Sequence, residues 1–335
     1  MPQIRVAFIG CGGIAGKHAK SLQVNPDARI VACLDVKQEI VEKFFARALP
    51  TYPHQPAIFT DLERMYKDAR PDAVVINTPH TLHFPQAMQA LDKGCHVLME
   101  KPMVTSAEHA YALKRRVDEL GKIFTIAYNT SCTPEFHYLR ELIRNKTLGR
   151  LELVNGYISQ DWLKLTRGSW RQDPALSGGG QAYDSGAHLF NSLCWSVESR
   201  PALVFAFVDH CGAAVDINSA ITIRFENGVL ATIAVSGNCP GNGSHMVFIF
   251  DNGRVEIDGW GGSWITVFQG GEKLKYPPIT GKPLQPADNF IDAILGRDKP
   301  RTTPLNGIIH SELMDAIYES GRTGQPARPR QATPA

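Results

Sequence analysis

Asp184 and His188 lie four positions apart, shortly after a run of three glycines at positions 178–180. If this segment is a helix, residues four apart share one face, so the carboxylate and the imidazole could both reach a polyhydroxylated ligand above the helix start. The glycines favour that interpretation, because they let something polar approach the backbone closely at a helix N-terminus. The alternative is a buried histidine that pairs locally with the aspartate.

Lys101 lies between Glu100 and Pro102, directly after a short apolar segment, residues 96–99, that is typical of a buried strand. Ligands of open parallel sheets bind beyond the carboxyl ends of the strands, so Lys101 is expected to face the ligand crevice. Pro102 restricts the backbone next to it and thereby specifies the direction of the lysine side chain. An ammonium group beside a reacting carbon would stabilise negative charge on its oxygen. The alternative is an ordinary surface charge.

A glycine-rich turn near the N-terminus follows an apolar strand, residues 6–9, and begins a helix. Gly10, Gly12 and Ala15 match the G-x-G-x-x-G/A spacing, in which the glycines give a sharp turn and room for a pyrophosphate, and the small third residue allows close helix packing. The helix would direct its free N–H groups at that pyrophosphate. The alternative is an ordinary turn between a strand and a helix that binds nothing.

A second strand, residues 30–34, ends in Asp35, at about the distance (~20 residues) where an acidic side chain binds the ribose hydroxyls. Because no arginine directly follows Asp35, the sequence predicts NAD, with NADP as the alternative since Lys37 lies close by. The ligand of the glycine turn is therefore predicted to be a nicotinamide dinucleotide.

The first 128 residues alternate strands and helices, which predicts right-handed βαβ units in a doubly wound parallel sheet. The carboxyl ends of its strands carry Gly10, Asp35, the Thr78-Pro79-His80 segment and Glu100-Lys101, which should meet in one crevice. Helices are expected near residues 13–23, 38–48, 82–93 and 106–120, and strands near residues 58, 72–77, 96–99 and 123–128.

The pattern changes after Asn129. Residues 129–325 are predicted to form an α+β domain with a mostly antiparallel sheet, because residues 202–276 alternate apolar and polar positions between Asn-Gly and Gly-Gly turns. Late helices near 287–295 and 305–320 are expected, and these helices could pack against the first domain. A proline- and arginine-containing tail, residues 326–335, is expected to be frayed.

Composition excludes several classes of partner. The 335 residues carry a net charge of +2 and 43% hydrophobic residues, without the basic excess that nucleic acids or anionic membranes require. The seven cysteines form no C-x-x-C pair, which favours reduced thiols, and we find no metal-ligand spacing. The first strand begins close to Met1 and no apolar run is long enough to span a membrane, so a cytoplasmic location is expected.

These motifs, taken in order, resemble the Gfo/Idh/MocA oxidoreductases, which include inositol, glucose and other sugar dehydrogenases. The resemblance rests on the glycine turn, Thr78-Pro79 with His83, Glu100-Lys101-Pro102, Leu148-Gly149, Trp170-Arg171, and the segment from the three glycines through Asp184 to His188. It implies an N-terminal Rossmann domain, and a C-terminal domain whose open sheet often forms dimers or tetramers.

The resemblance also implies roles for individual residues. His188 would take the hydroxyl proton as hydride leaves the same carbon for the nicotinamide, Lys101 would polarise that oxygen, and Asp184 would orient the sugar. One difference is Asn191, where many members have an aspartate three residues after the histidine. Tyr128, Trp162 and Arg171 are further candidates for sugar contacts. The cofactor candidates are Gly10, Cys11, Gly12, Gly13, Ile14, Ala15, Asp35, Thr78, Pro79, His80, His83, Glu100, Lys101 and Asn129.

Three functions compete at this point. The first is an NAD-dependent dehydrogenase that acts on a secondary hydroxyl of a sugar, sugar derivative or cyclic polyol. The second is a glycoside hydrolase that oxidises C3 transiently, eliminates the aglycone, adds water and reduces the carbon again, without net release of NADH. The third is a non-enzymatic NAD(H)-binding protein, which would have no need of Lys101 together with His188. A homodimer or homotetramer is expected, since the strands over residues 217–250 could bury one sheet face against a partner subunit.

Overall fold

The computed structural model describes residues 3–274 and 277–331, and these residues form two compact units. The first unit comprises residues 3–104, 109–127 and 284–304. The second comprises residues 105–108, 128–274, 277–283 and 305–331. No helix in the described ranges combines the length and the apolar character needed to cross a membrane.

Strands and helices alternate through residue 126, as the sequence predicts. The short apolar runs form strands buried on both faces, and the amphipathic segments between them form the covering helices. The elements are β1 (Ile4–Ile9), α1 (Ala15–Leu22), β2 (Ala28–Leu34), α2 (Gln38–Ala48), β3 (Ala57–Phe59), α3 (Leu62–Ala69), β4 (Ala73–Ile76), α4 (His83–Asp92), β5 (His96–Met99), α5 (Ala107–Leu120) and β6 (Phe124–Ile126).

The rest of the described chain contains short helices, long strands and two late helices. Its elements are α6 (Pro134–Arg144), β7 (Leu151–Ser159), α7 (Trp162–Leu165), α8 (Pro174–Ser177), α9 (Gln181–Asp184), α10 (Gly186–Val197), β8 (Pro201–Asp209), β9 (Asn218–Phe225), β10 (Leu230–Ser236), β11 (Gly243–Phe250), β12 (Gly253–Ile257), β13 (Ile265–Gln269), β14 (Glu272–Leu274), α11 (Pro286–Ile294) and α12 (Pro304–Thr323).

In the described part of the first unit, six parallel strands form a sheet in the order β3-β2-β1-β4-β5-β6. This order reverses between β1 and β4, the place where doubly wound sheets bind dinucleotides. The core of the unit contains Phe8, Phe44 and Leu98 together with Phe290 of α11, all fully buried. The predicted doubly wound parallel sheet is confirmed.

In the described part of the second unit, the strands form one sheet in the order β14-β13-β12-β11-β7-β10-β9-β8. All pairings are antiparallel except β10 with β7, which are parallel. Strands β9 and β10 alternate buried and exposed residues, so one face packs on a core that includes Phe190, Phe248 and Leu313. The predicted mostly antiparallel sheet is confirmed, although Lys275 and Tyr276, at the end of the predicted range, lie outside the described residues.

The start of the tail is more ordered than we expected. Ala327 is buried, and its backbone exchanges two hydrogen bonds with Val204 of β8, at 2.9 and 2.8 Å. The expectation of fraying is therefore wrong for this part of the tail, because pairing with a strand satisfies its backbone groups. Residues 332–335 of the predicted tail lie outside the described residues.

Candidate active site

The glycine turn after β1 contains glycines of two kinds. Gly10 has a φ of +87°, and a Cβ there would lie 2.9 Å from the carbonyl carbon of Asn77, so the fold itself requires glycine. A Cβ on Gly12 or Gly13 would meet no described atom within 4 Å. The packing of the chain gives no reason for these two glycines, whereas a pyrophosphate lying against the backbone would.

Asp35 connects the end of β2 to this turn. One of its carboxylate oxygens accepts the backbone N–H of Cys11 at 2.8 Å, and the other accepts the N–H of Val36 at 2.8 Å. The carboxylate therefore holds the glycine turn beside β2 and remains partly exposed. This placement fits the contact with ribose hydroxyls that the sequence predicts, because a carboxylate oxygen can accept more than one hydrogen bond.

His83, the first residue of α4, joins two loops at the carboxyl ends of β4 and β5. Its ring is fully buried, with Nδ1 at 2.8 Å from the carbonyl oxygen of Pro102 and Nε2 at 2.9 Å from that of Thr78. Burial lowers the pKa of His83, while the two carbonyl contacts raise it less. A neutral imidazole has one N–H donor, so it satisfies only one of these carbonyls. In this structure His83 ties the loops together, and its role in cofactor binding stays a prediction.

His83 should make the stability of the protein depend on pH. The folded-state pKa of His83 is lowered, so below about pH 6.5 its imidazole binds a proton in the unfolded chain but not in the folded chain. The free energy of unfolding therefore falls as the pH falls. We expect urea unfolding of His83→Gln to show a smaller loss of stability between pH 7.5 and 5.5 than the unaltered protein. His54→Gln, at a partly exposed site, is the control. Equal pH dependence in all three proteins would contradict this expectation.

His18 of α1 and Glu100 form a buried pair inside the first unit. The His18 Nε2 and Glu100 Oε1 atoms are 2.7 Å apart, and the side chains are 5% and 9% exposed. The second carboxylate oxygen of Glu100 accepts the backbone N–H of Lys101 at 3.1 Å. The helix that begins at the glycine turn is thereby linked, through one carboxylate, to the backbone of the candidate lysine.

Removing the His18 contact should affect turnover more than cofactor affinity. A lost buried hydrogen bond to a charged group costs about 2 kcal/mol, and without the His18 contact the Glu100 carboxylate would hold the Lys101 backbone less firmly. We expect His18→Leu to lower kcat about tenfold with the KM for NAD little changed, and His18→Gln to recover much of the loss. His96→Leu, at the opposite end of β5, is the control: it should lower stability and leave kcat unchanged. Equal kcat in His18→Leu and the unaltered protein would exclude this role.

The predicted helix through Asp184 and His188 is two helices in the structure. Asp184 ends α9 and His188 lies in the first turn of α10, with Ser185 between the helices. Ser185 itself has helical torsion angles, φ −79° and ψ −33°, so the predicted helix is present with a local change of hydrogen bonding at this residue. At the junction the His188 N–H donates to the carbonyl of Ser185, three residues back, at 3.2 Å, which is a tighter turn than an α-helix.

Asp184 is buried and receives two donors on one oxygen. The indole N–H of Trp162 and the Nε–H of Arg171 each lie 2.9 Å from Oδ2. Trp162 is itself 4% exposed and packs against Val215 and Ile217, so its N–H is fixed in direction. The structure thus gives Trp162 and Arg171 the role of orienting Asp184, and their direct contact with a sugar stays a prediction.

His188 lies in an aromatic environment. The ring of Trp260 stacks on its imidazole at 4.6 Å between centroids and 25° between planes, and Tyr128 approaches edge-on at 6.2 Å. His188 is 6% exposed. Packing on two sides fixes the orientation of the imidazole, which proton transfer in a defined direction requires.

The three glycines before α9 serve the packing of the chain. A Cβ at Gly178 would lie 2.6 Å from Thr105, at Gly179 2.3 Å from the Tyr318 hydroxyl, and at Gly180 1.9 Å from the Asp216 carbonyl oxygen. We expected these glycines to admit a polar ligand. The structure shows instead that neighbouring parts of the second unit occupy the space, so the glycines give no support for a ligand there.

A buried carboxylate, Asp216, occupies the helix start that we assigned to a ligand. Its Oδ1 accepts the N–H of Gly180 at 2.6 Å and the hydroxyl of Tyr318 at 2.6 Å, and its Oδ2 accepts the N–H of Ala182 at 2.8 Å. Burial, followed by the nearby Asp216 charge, raises the pKa of Tyr318, which keeps it a neutral donor. Asp216 therefore fixes the short helix that ends in Asp184.

His18, Asp216 and Trp260 are not among the residues predicted from the sequence. The sequence around Asp216 does indicate a buried, hydrogen-bonded carboxylate, because Asp216 lies between the apolar residues Val215 and Ile217 and a buried carboxylate must be paired. His18 lies three residues after Ala15, on the buried face of α1, and shares the same kind of signal.

The remaining residues predicted to bind the cofactor lie in or beside turns of the described chain. His80 is buried in a short turn before α4, with its ring 5.8 Å from that of His83. Asn129, in the second unit, precedes a turn at residues 130–132. Cys11 is buried and Ile14 is exposed at the start of α1. All seven cysteines are free thiols, and the described residues contain no cluster of three metal-ligating side chains.

Models of known families match most of the chain. Residues 4–128 match the model described as oxidoreductase family, NAD-binding Rossmann fold, and residues 136–263 match the GFO/IDH/MocA C-terminal domain. The chain belongs to the Gfo/Idh/MocA oxidoreductase family. The resemblance drawn from the sequence motifs is thereby confirmed, together with the NAD(P)-binding nature of the first domain.

Individual relatives in the Gfo/Idh/MocA family are dehydrogenases of sugars and polyols. The chain is 27% identical to D-glucoside 3-dehydrogenase of Escherichia coli, over 96% of each chain. It is 29% identical to an NADP-dependent scyllo-inositol 2-dehydrogenase of Bacillus subtilis over 56% of this chain and 50% of that protein. The fold is similar to the WlbA dehydrogenase of Bordetella pertussis, solved with NADH and UDP-GlcNAcA, with a TM-score of 0.87, 23% identity and coverage of 99% of both chains.

Proposed function

We propose that this protein is an NAD-dependent dehydrogenase that oxidises a secondary hydroxyl of a sugar, a sugar derivative or a cyclic polyol. The observation that carries the proposal is the pair of buried side chains Asp184 and His188 in a member of this family. In addition, the backbone at Gly12 and Gly13 leaves space for a ligand. Relatives across the family act on sugars and inositols, as their names state.

The residues of the first unit fit a nicotinamide dinucleotide. Gly12 and Gly13 would lie against its pyrophosphate and Asp35 would bind its ribose hydroxyls. A carboxylate at this position accepts hydrogen bonds from a 2′-hydroxyl and repels a 2′-phosphate, so we propose NAD over NADP. When bound, the nicotinamide accepts the hydride from the substrate carbon.

The chain supplies the proton transfer and the stabilisation of charge. We propose that His188 accepts the hydroxyl proton as the C–H bond breaks, so the alcohol becomes a carbonyl with loss of one proton and one hydride. The Lys101 ammonium would stabilise the negative charge that develops on the same oxygen. Asp184, held by Trp162 and Arg171, would accept a hydrogen bond from a neighbouring hydroxyl. Lys101 belongs to the first unit and the other two residues to the second.

Absorbance at 340 nm with NAD or NADP and a panel of inositols, hexoses, sugar acids and aryl glycosides tests the proposal, with released phenol followed alongside. We expect NADH to accumulate with a neutral sugar or polyol. Release of phenol that requires NAD without accumulation of NADH would instead identify the NAD-recycling glycoside hydrolase. Absence of both signals across the panel would count against an enzyme of either kind.

We also propose that the protein forms a dimer or a tetramer through the exposed face of the second sheet. This face carries Ala220, Thr222 and Ala234 and the aromatic side chains Tyr157 and Phe207, which are 46% and 68% exposed. Small and apolar side chains on an exposed sheet face suit burial against a second copy. We expect light scattering to give an oligomer, and Thr222→Glu to dissociate it. A monomeric mass for the unaltered protein would refute the proposal.

A further inference from the structure

A polar cleft of about 420 Å³ opens in the second unit beside the aromatic neighbour of His188. It is lined by the ends of β7 and β11 and by the loop after β12. The lining residues are Ser159, Gln160, Asn242, Gly243, Ser244, Asp258 and Trp260. Its volume falls within the range of small-molecule sites, about 300–1,000 Å³.

Trp260 connects this cleft to the candidate base. Its indole stacks on the imidazole of His188 and also forms part of the cleft wall. The cleft and the candidate base therefore have Trp260 as a common neighbour.

The loop that carries Trp260 is fixed in advance. Asp258 accepts the backbone N–H groups of Trp260 at 3.1 Å, Gly261 at 3.2 Å and Ser263 at 3.1 Å, and the Ser263 hydroxyl at 2.8 Å. The carboxylate thus holds the loop in one conformation, so the indole does not have to be ordered when a ligand binds.

The chemistry of the lining selects a neutral, hydroxyl-rich ligand. Among the described residues that line the cleft, none is basic, and the one charge is the carboxylate of Asp258. Amide and hydroxyl groups of Gln160, Asn242 and Ser159 donate and accept hydrogen bonds, and the indole offers an apolar face for C–H groups. The Ser244 hydroxyl is buried without a hydrogen-bond partner in the described structure. A phosphate or carboxylate would meet repulsion here, because nothing in the lining balances its charge.

We infer that the cleft is a subsite for a second, neutral sugar ring, so the preferred substrate is a neutral glycoside or disaccharide. This inference rests on the proposed function, because it places the ring being oxidised beside His188 and the attached ring on Trp260 and Asn242. It excludes sugar phosphates and nucleotide sugars as preferred substrates.

Matched pairs of sugars test the inference. Methyl β-D-glucoside with cellobiose, methyl α-D-glucoside with maltose, and methyl β-D-galactoside with lactose share the first ring and its anomer and differ in the second ring. We expect kcat/KM to be at least tenfold higher for the disaccharide in at least one pair. We expect glucose 6-phosphate to be a poorer substrate than glucose.

A substitution that fills the cleft distinguishes the contribution of the subsite to kcat/KM from that of the active site. Asn242→Trp is expected to lower the disaccharide-to-methyl-glycoside ratio of kcat/KM at least tenfold. Asn252→Trp, in the exposed turn between β11 and β12, is the matched control and should leave the ratio unchanged. Calorimetric binding of the same sugars, measured in the presence of NADH, gives a readout that does not need turnover.

Different results would contradict the second-ring subsite and the dehydrogenase activity. Turnover of methyl glycosides with no gain from a second ring, or an unchanged ratio in Asn242→Trp, would overturn the subsite and leave the dehydrogenase intact. Disaccharide binding that Asn242→Trp abolishes, without any oxidation, would support the subsite and count against the dehydrogenase. Preference for a sugar phosphate would overturn the subsite alone.

Discussion

Replacing His188 by asparagine is expected to lower kcat about 10³-fold on the substrate that the panel identifies, because a positioned general base contributes about 10²–10⁴. Asparagine is close in shape and keeps polar atoms in the aromatic environment of Trp260 and Tyr128 but cannot take up the proton. The affinity for NAD, measured by fluorescence titration, should stay nearly the same. The limb of the pH profile that reports the deprotonated base should disappear with the variant.

His137→Asn is the matched control for this substitution. His137 also belongs to the second unit and also packs against a tryptophan, Trp195, at 5.2 Å between ring centroids. A general loss of packing would reduce activity in both variants, whereas loss of the base reduces it in His188→Asn alone. Lys101→Ala should likewise lower kcat with NAD binding nearly intact, and full activity in either His188→Asn or Lys101→Ala would show that the assigned role is wrong.

Replacing Asp216 by asparagine is expected to destabilise the second unit by about 3 kcal/mol, because buried hydrogen bonds to a charged acceptor contribute about 1.5–3 kcal/mol and unpaired buried donors are costly. The carboxylate accepts two backbone N–H groups and the Tyr318 hydroxyl, and an amide presents an N–H₂ group to at least one of these donors. Urea unfolding followed by circular dichroism measures the change. Because the short helix that Asp216 fixes ends in Asp184, kcat should also fall, by about tenfold.

Two further variants make this result interpretable. Asp209→Asn removes a carboxylate that accepts a backbone N–H, from Cys211 at 3.0 Å, at an exposed position, and should cost less than about 1 kcal/mol. Gly180→Ala places a Cβ 1.9 Å from the Asp216 carbonyl oxygen and should reproduce both effects of Asp216→Asn without a change of charge. If Asp216→Asn were as stable as Asp209→Asn, the capping role would be excluded.

The two glycine-rich stretches, at residues 10–13 and 178–180, are similar in sequence but differ in what surrounds them in the structure. Both precede a helix, and both suggest close approach of a ligand. At Gly12 and Gly13 the structure leaves the space open, whereas at Gly179 and Gly180 it fills the space with Tyr318 and Asp216. The glycine pattern is local, but the identity of the atoms that face it depends on segments far away in the chain.

The sequence by itself determined the fold class and the family, and it predicted the turn that would receive a dinucleotide. These follow from short-range features: strand and helix periodicity, the spacing of Gly10, Gly12 and Ala15, and an acidic residue at the end of β2. Only the tertiary structure decided which groups orient the candidate catalytic residues. His18 and Glu100 are 82 residues apart, and Gly180 and Asp216 are 36 apart. A buried polar group needs a hydrogen-bond partner, because water is excluded from it. The packing of distant segments decides which partner lies within reach, and no local sequence pattern specifies it.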